Sequence, residues 1–295
     1  FHHVVRRLVA GDAHGYYEDY MGTTEELART IAQGWLFTGE HSRHLGMMRG
    51  TDPSSIPMYR FIVCVQNHDQ VGNRAFGDRL HQRVDAATWR AISALLLMVP
   101  MTPLLFMGQE WAASAPFQYF TDLEPELGKL VTAGRRGEFR HFPEFARPDA
   151  SERIPDPQSP ATFERSRLGW DERDEPDHAR VLALYRALLD LRRREPALGA
   201  SHALAGEAFP PDEDSLVMKR TAGDAEYLVF ARLRGSGRID AGAGLSTGAG
   251  GWEVRLTTEE PRFSADPRPP RIETAGGRPV VCFDRPGAAI LRARP

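Results

Sequence analysis

The sequence predicts an α/β fold over residues 1–199 followed by an all-β segment over residues 200–295. Two apolar runs of strand length, residues 61–65 and 101–107, each stop at a polar cluster. A run with helical apolar spacing lies between them, which makes the order strand, polar loop, helix, strand, polar loop. That is the βα repeat, in which function gathers on the loops after the carboxyl ends of the strands. Beyond Gly199 the pattern shortens to strand-length runs parted by Gly, Pro and Asp.

Taken in order, Thr23-Thr24-Glu25-Glu26 before Leu27, Ala28 and Ile31 reads as a capping box opening a short helix that Gly34 ends. Residues 41–58, rich in Gly, Pro, Ser and charge, predict a long loop. The run 61–65 is apolar at every position, the mark of a parallel strand buried on both faces. Asp85 caps a helix to about Met98 whose apolar face holds Trp89, Ile92 and Leu96. The second strand, 101–107, ends at Gly108-Gln109-Glu110-Trp111. A Pro- and charge-rich excursion covers residues 112–176. Val181, Leu182, Tyr185, Leu188 and Leu189 then recur at helical spacing up to Pro196, with Asp177 as the expected cap. Residues 216–219, 227–232, 252–256, 280–283 and 288–291 supply the strands of the all-β segment. The glycine-rich stretch 241–251 lacks the GK[ST] ending of a phosphate loop and reads as a turn.

Composition excludes several classes of function. Lys and Arg number 37 against 40 Asp and Glu, a formal charge of −3, so there is no basic field for a nucleic acid. The longest apolar stretch, 94–105, is broken by Pro100 and Pro103, which predicts no membrane span. The amino-terminal residues have no signal-peptide pattern, and a start at Phe1 instead of Met suggests a chain that begins inside a longer protein. Cys64 and Cys282 each sit in an apolar run as small buried hydrophobes, which suits a reducing, cytoplasmic setting. His41 and His44 have no neighbouring ligand to complete a metal site, so no metal is expected.

Residues 66–74, Gln66-Asn67-His68-Asp69-Gln70-Val71-Gly72-Asn73-Arg74, put a carboxylate, an imidazole, amides and a guanidinium at the end of a strand. Sugars need such groups, because each hydroxyl both donates and accepts. A solvated loop whose Asn and Asp only make turns would have the same composition.

Asn67-His68-Asp69 after an apolar strand resembles the fourth conserved segment of the α-amylase superfamily. The longer run to Arg74, with Gly77-Asp78-Arg79-Leu80, is similar to that of the maltooligosyltrehalose trehalohydrolases. Residues 104–111 and Tyr119-Phe120-Thr121-Asp122 look like the last barrel strand and following loop of trehalohydrolases and glycogen-branching enzymes. The His2-His3 pair and Gly15-Tyr16-Tyr17 also look like trehalohydrolase. The resemblance covers residues 1 to about 200 and reaches the β segment only in kind.

It implies the carboxyl-terminal part of a (β/α)8 TIM barrel over residues 1–199 and a small antiparallel β-sandwich domain over 200–295. It also implies hydrolysis, with retention, of the α-1,4 bond that joins a maltooligosaccharide to a terminal trehalose, without redox or nucleotide cofactor. Asp69 becomes the transition-state stabiliser and His68 a sugar ligand, with Gln70, Val71, Gly72 and Asn73 lining the cleft. Phe1, His2 and His3 are carried over as substrate contacts. Nothing in residues 1–60 resembles the segments that supply the nucleophile and general acid, so the chain departs from the family by omission. The resemblance gives Glu110 no catalytic role, and its expected role is a structural hydrogen bond. Two alternatives stay open: a glycogen-branching enzyme, against which residues 70–74 argue, and a non-catalytic glucan-binding protein on an amylase-like fold. The sequence sets no oligomeric state.

Overall fold

The computed structural model describes residues 1–139, 152–242 and 250–294. Helix α1 (His2–Ala10) turns its apolar side, Val4, Val5 and Leu8, inward. Helix α2 (Thr24–Gln33) follows, capped by Thr23, whose side chain accepts from the Glu26 amide. Glu26 accepts instead from the amides of Met21 and Gly22, so the expected reciprocal box is displaced toward the preceding turn.

Residues 41–58, expected as a loop, include part of an antiparallel hairpin, β1 (Thr38–Ser42) and β2 (Met47–Gly50). Its strands bury only Ser42 and lack alternating burial, so no hydrophobic pattern marks them. Asp19 holds the turn: it accepts from the Ser42 hydroxyl and from the amides of Arg43 at 2.7 Å and His44 at 3.1 Å.

Strand β3 (Ile62–Val63) leads into the one-turn helix α3 (His68–Gly72). Helix α4 (Ala86–Met98) is capped by Asp85, which accepts from the Thr88 amide at 2.8 Å. It returns the chain to β4 (Thr102–Pro103), which pairs with β3 in parallel, Ile62 opposite Thr102. The βα order is therefore as expected, but burial on both faces is not, since Ile62 is 68% exposed. Strand β3 turns Val63 inward and Ile62 to solvent, and among the described residues the two strands pair with no third.

The 112–176 excursion contains α5 (Pro125–Glu138) and α6 (Pro160–Arg165). Helix α7 (Pro176–Arg194) starts one residue before the expected cap, because Pro176 suits the first helical position. Asp177 lies inside the first turn and pairs with Arg180 at 2.9 Å.

In α4 every side chain from Ala87 to Met98 is buried, as befits a helix enclosed on all sides. It packs on α7 and on the sheet that follows. That sheet is antiparallel, in the order β5 (Glu207–Asp212), β6 (Ser215–Ala222), β7 (Ala225–Arg232), β12 (Gly287–Ala293) and β9 (Trp252–Thr257). A second, three-stranded sheet orders β10 (Arg271–Ala275), β11 (Arg278–Phe283) and β8 (Gly237–Asp240). Phe230 and Leu291 of the first sheet share a core with Ile239 and Val281 of the second. Its opposite face joins the helical part, for one cluster contains Ile31, Leu96, Leu188, Met218, Val229 and Ile290.

Buried arginines close this junction. Arg192 donates to the carbonyls of Leu97, Val99 and Met101 at 2.6, 2.9 and 2.6 Å, satisfying the carboxyl end of α4. Arg220 donates to those of Met98 and Gly199. Residues 243–249, most of the glycine-rich stretch read as a turn, lie outside the described residues. No helix among the described residues is long and apolar enough to cross a membrane.

Candidate functional site

The site begins with Asn67, which leaves the end of β3 in extended conformation, φ −142° and ψ −168°. Its side-chain oxygen accepts from the Asp69 amide at 2.8 Å and the Gln70 amide at 3.4 Å. Gln70 Oε1 accepts in return from the Asn67 amide at 3.0 Å, a complete capping box. With the amino end of α3 fixed in this way, His68 and Asp69 project outward, their side chains 69% and 59% exposed. His68 Nε2 lies 3.4 Å from Asp69 Oδ1.

The remaining residues expected to line the cleft divide. Val71 is fully buried and belongs to the packed interior. Gly72 is buried too, and a Cβ there would meet the Phe117 ring at 3.6 Å. One helical turn carries these two positions inward as it carries His68 and Asp69 outward. Gln70 is occupied as a cap, so of residues 70–73 only Asn73 is exposed.

Beneath α3, Gln66 is buried and accepts from the Leu80 amide at 2.8 Å, tying the strand exit to the following turn. Gly77 makes that turn with φ +69°, and a Cβ would stand 2.4 Å from the Phe117 carbonyl oxygen. No other residue fits there without moving the backbone.

Phe1, His2 and His3 lie at the start of α1, beside the site. His2 Nδ1 is 4.0 Å from Cys64 Sγ, and the same sulfur is 4.0 Å from Gln70 Oε1. His3 stacks on Tyr20 at 4.7 Å and meets the edge of Tyr17 at 5.2 Å. Burial, more than the neighbouring positive charges, pulls His2 down to about 2 and His3 to about 3, so both imidazoles are neutral near pH 7. A charge network bolts α1 to the segment after α3: Asp12 accepts from Arg6 and Arg74, and Asp78 accepts from Arg74 at 2.6 Å. Asp12 and Asp78 are thus committed to arginines.

Sequence reasoning missed Arg6, Asp12, Phe117 and Arg135 as supports of the site. The i, i+4 spacing of Arg74 and Asp78 was the one available signal for this network. Glu110 needs correction: no described residue donates to its carboxylate. The hydrogen bonds of that turn belong to Gln109, which donates to the buried Tyr185 hydroxyl at 3.0 Å, and to Trp111, which donates to the half-buried Glu172 at 2.9 Å. Among the described residues no cluster of His, Cys, Asp and Glu could hold a metal ion.

No family model matches the chain. It is 46% identical over 200 residues to a malto-oligosyltrehalose trehalohydrolase of Deinococcus radiodurans, covering 67% of this chain and 33% of that protein. The enzyme of that name from Rhizobium sp. strain M-11 is 40% identical over 232 residues, covering 78% of this chain and 38% of the relative. The chain therefore spans about a third of the length of the curated relatives it matches. A 1.4 Å crystal structure of a candidate alpha-amylase from Salmonella typhimurium superposes on 99% of this chain and 45% of its own, at TM-score 0.80 and 29% identity. The architecture described above is thus that of an α/β alpha-amylase-type protein over a part of its length.

Proposed function

We propose, from the premise that the chain is related to malto-oligosyltrehalose trehalohydrolases and matches their carboxyl-terminal part, that it belongs to a glycoside hydrolase releasing trehalose from maltooligosyl trehalose. The bond cleaved is the α-1,4 link between the maltooligosaccharide and the terminal trehalose unit. One observation carries the site assignment: a fully capped turn at the end of a parallel strand presents His68 and Asp69 together to solvent.

In this reading the Asp69 carboxylate accepts hydrogen bonds from ring hydroxyls, and its charge offsets the positive charge that develops at the anomeric carbon. His68 and Asn73 bind the sugar. His2 and His3, neutral and partly enclosed, contact substrate as uncharged donors or acceptors, with Phe1 beside them. The nucleophile and general acid, which a retaining mechanism needs roughly 5 Å apart, come from the rest of the enzyme.

The exposed Ile62 on this parallel pair supports β3 and β4 as two strands of a larger (β/α)8 barrel over residues 1–199. Parallel sheets are normally covered on both faces, so the solvent-facing side of β3 marks where neighbouring strands and barrel filling belong. The two antiparallel sheets after residue 199 form the β-sandwich domain. Free Cys64 and Cys282 suit the reducing cytoplasm. The full-length enzyme incubated with maltooligosyl trehalose should release free trehalose. Transfer of the cleaved chain to another glucan, with no trehalose formed, would refute the proposal.

A further inference from the structure

Helix α3 has five residues, too few for internal hydrogen bonds to fix its direction, so its orientation depends on what grips its two ends. The amino end is held locally by Asn67 and Gln70. The carboxyl end is held from far away in the chain. Arg135, on the last turn of α5, donates through Nη2 to the Gly72 carbonyl at 2.6 Å and to the Arg74 carbonyl at 2.9 Å. Its side chain is only 6% exposed, and its Nη1 lies 3.5 Å from Glu138. The guanidinium carbon sits 5.1 Å from the centre of the Tyr119 ring and 4.8 Å from that of Phe139.

We infer that Arg135 is the positioning residue for His68 and Asp69, setting the direction of α3 by gripping the carbonyls at its carboxyl end. The choice of side chain fits that task. Bringing a positive charge out of water is costly, and an apolar residue would pack between Tyr119 and Phe139 without that cost. A planar guanidinium accomplishes what an apolar residue cannot: it stacks on aromatic rings while one nitrogen meets two backbone oxygens, and it places positive charge at a helix carboxyl end. Arg135 approaches no reacting atom. It acts through the backbone that carries Asp69, and a displacement of about 1 Å in such a group can cost about 100-fold in rate.

The inference rests on the assignment of Asp69 given above, so both are tested together in the full-length enzyme. Arg135→Ala, Arg135→Lys, Arg135→Gln and Asp69→Asn are compared for kcat, KM and melting temperature. Arg135→Ala should lower kcat by about 10- to 100-fold with a smaller change in KM. Arg135→Lys, which keeps a charged donor, should recover much of that loss, and Arg135→Gln should recover little. If Arg135→Ala does not fold, the Lys and Gln variants decide: a higher kcat for Lys supports positioning, and equal values overturn it. Wild-type kcat in Arg135→Ala, with Asp69→Asn inactive, overturns positioning and leaves the Asp69 assignment intact. Wild-type turnover in Asp69→Asn removes that assignment and takes the inference with it.

Discussion

His68 and Asp69 are adjacent on one helical turn, yet they should fail differently when changed. A sugar contact made in both ground and transition states affects binding, whereas a charge that meets developing positive charge affects turnover. His68→Ala in the full-length enzyme should raise KM by about tenfold, the worth of one hydrogen bond of ~1.4 kcal/mol, with a smaller effect on kcat. Steady-state kinetics on maltooligosyl trehalose measures it, and an unchanged KM removes His68 from the sugar site. A second expectation concerns His2 and His3, which burial holds at about 2 and about 3, below the ordinary 6.5. Below pH 6.5 the unfolded chain takes up protons that the folded one refuses, so stability present above 6.5 is lost as pH falls toward those values. The urea midpoint of the native protein should therefore drop from about pH 7.5 to about pH 5. It should drop less when His2 and His3 are replaced by Gln.

At the scale of elements, α3 depends on its cap. Asn67→Ala removes the acceptor for two amides and should cost about 1 kcal/mol, while Asn67→Asp, which keeps the acceptor, should cost little. Denaturant titration of both variants checks this, and equal stability would mean that the capping box does not hold the turn. The Asn67 and Gln70 spacing was legible as a cap signature, but a five-residue helix shows no periodicity, so sequence reasoning saw a polar loop. Helix α4 and the strand order around it were legible, because long apolar runs between a capping Asp85 and Pro100 leave few alternatives. The hairpin was not, since Met47 and Met48 are both exposed and carry no alternation. The inward side of α1 is readable in the sequence from the spacing of Val4, Val5 and Leu8. The grip of Arg135 on Gly72 spans 63 residues of sequence, and no local pattern reports such a contact.

For the whole molecule, the helical part and the sheets share one core, and charges as well as apolar groups cross the junction. Glu259 is buried and accepts from Arg90 of α4 at 2.8 and 2.6 Å and from Arg285 at 2.5 Å. Glu259→Ala strands Arg90 in the interior and should cost ~3–5 kcal/mol, seen as a lower midpoint of one cooperative transition. Separate transitions for the two halves would show that the shared core does not couple them. The same frame carries the site: a parallel strand leads into a braced turn, and the turn presents Asp69. The most direct test is kcat for trehalose release by the full-length Asp69→Asn enzyme. The amide keeps the shape but loses the charge, so kcat should fall by about 100- to 1,000-fold while KM stays within a few-fold. Turnover equal to that of the unaltered enzyme would contradict the assignment of Asp69 as the group that stabilises the transition state.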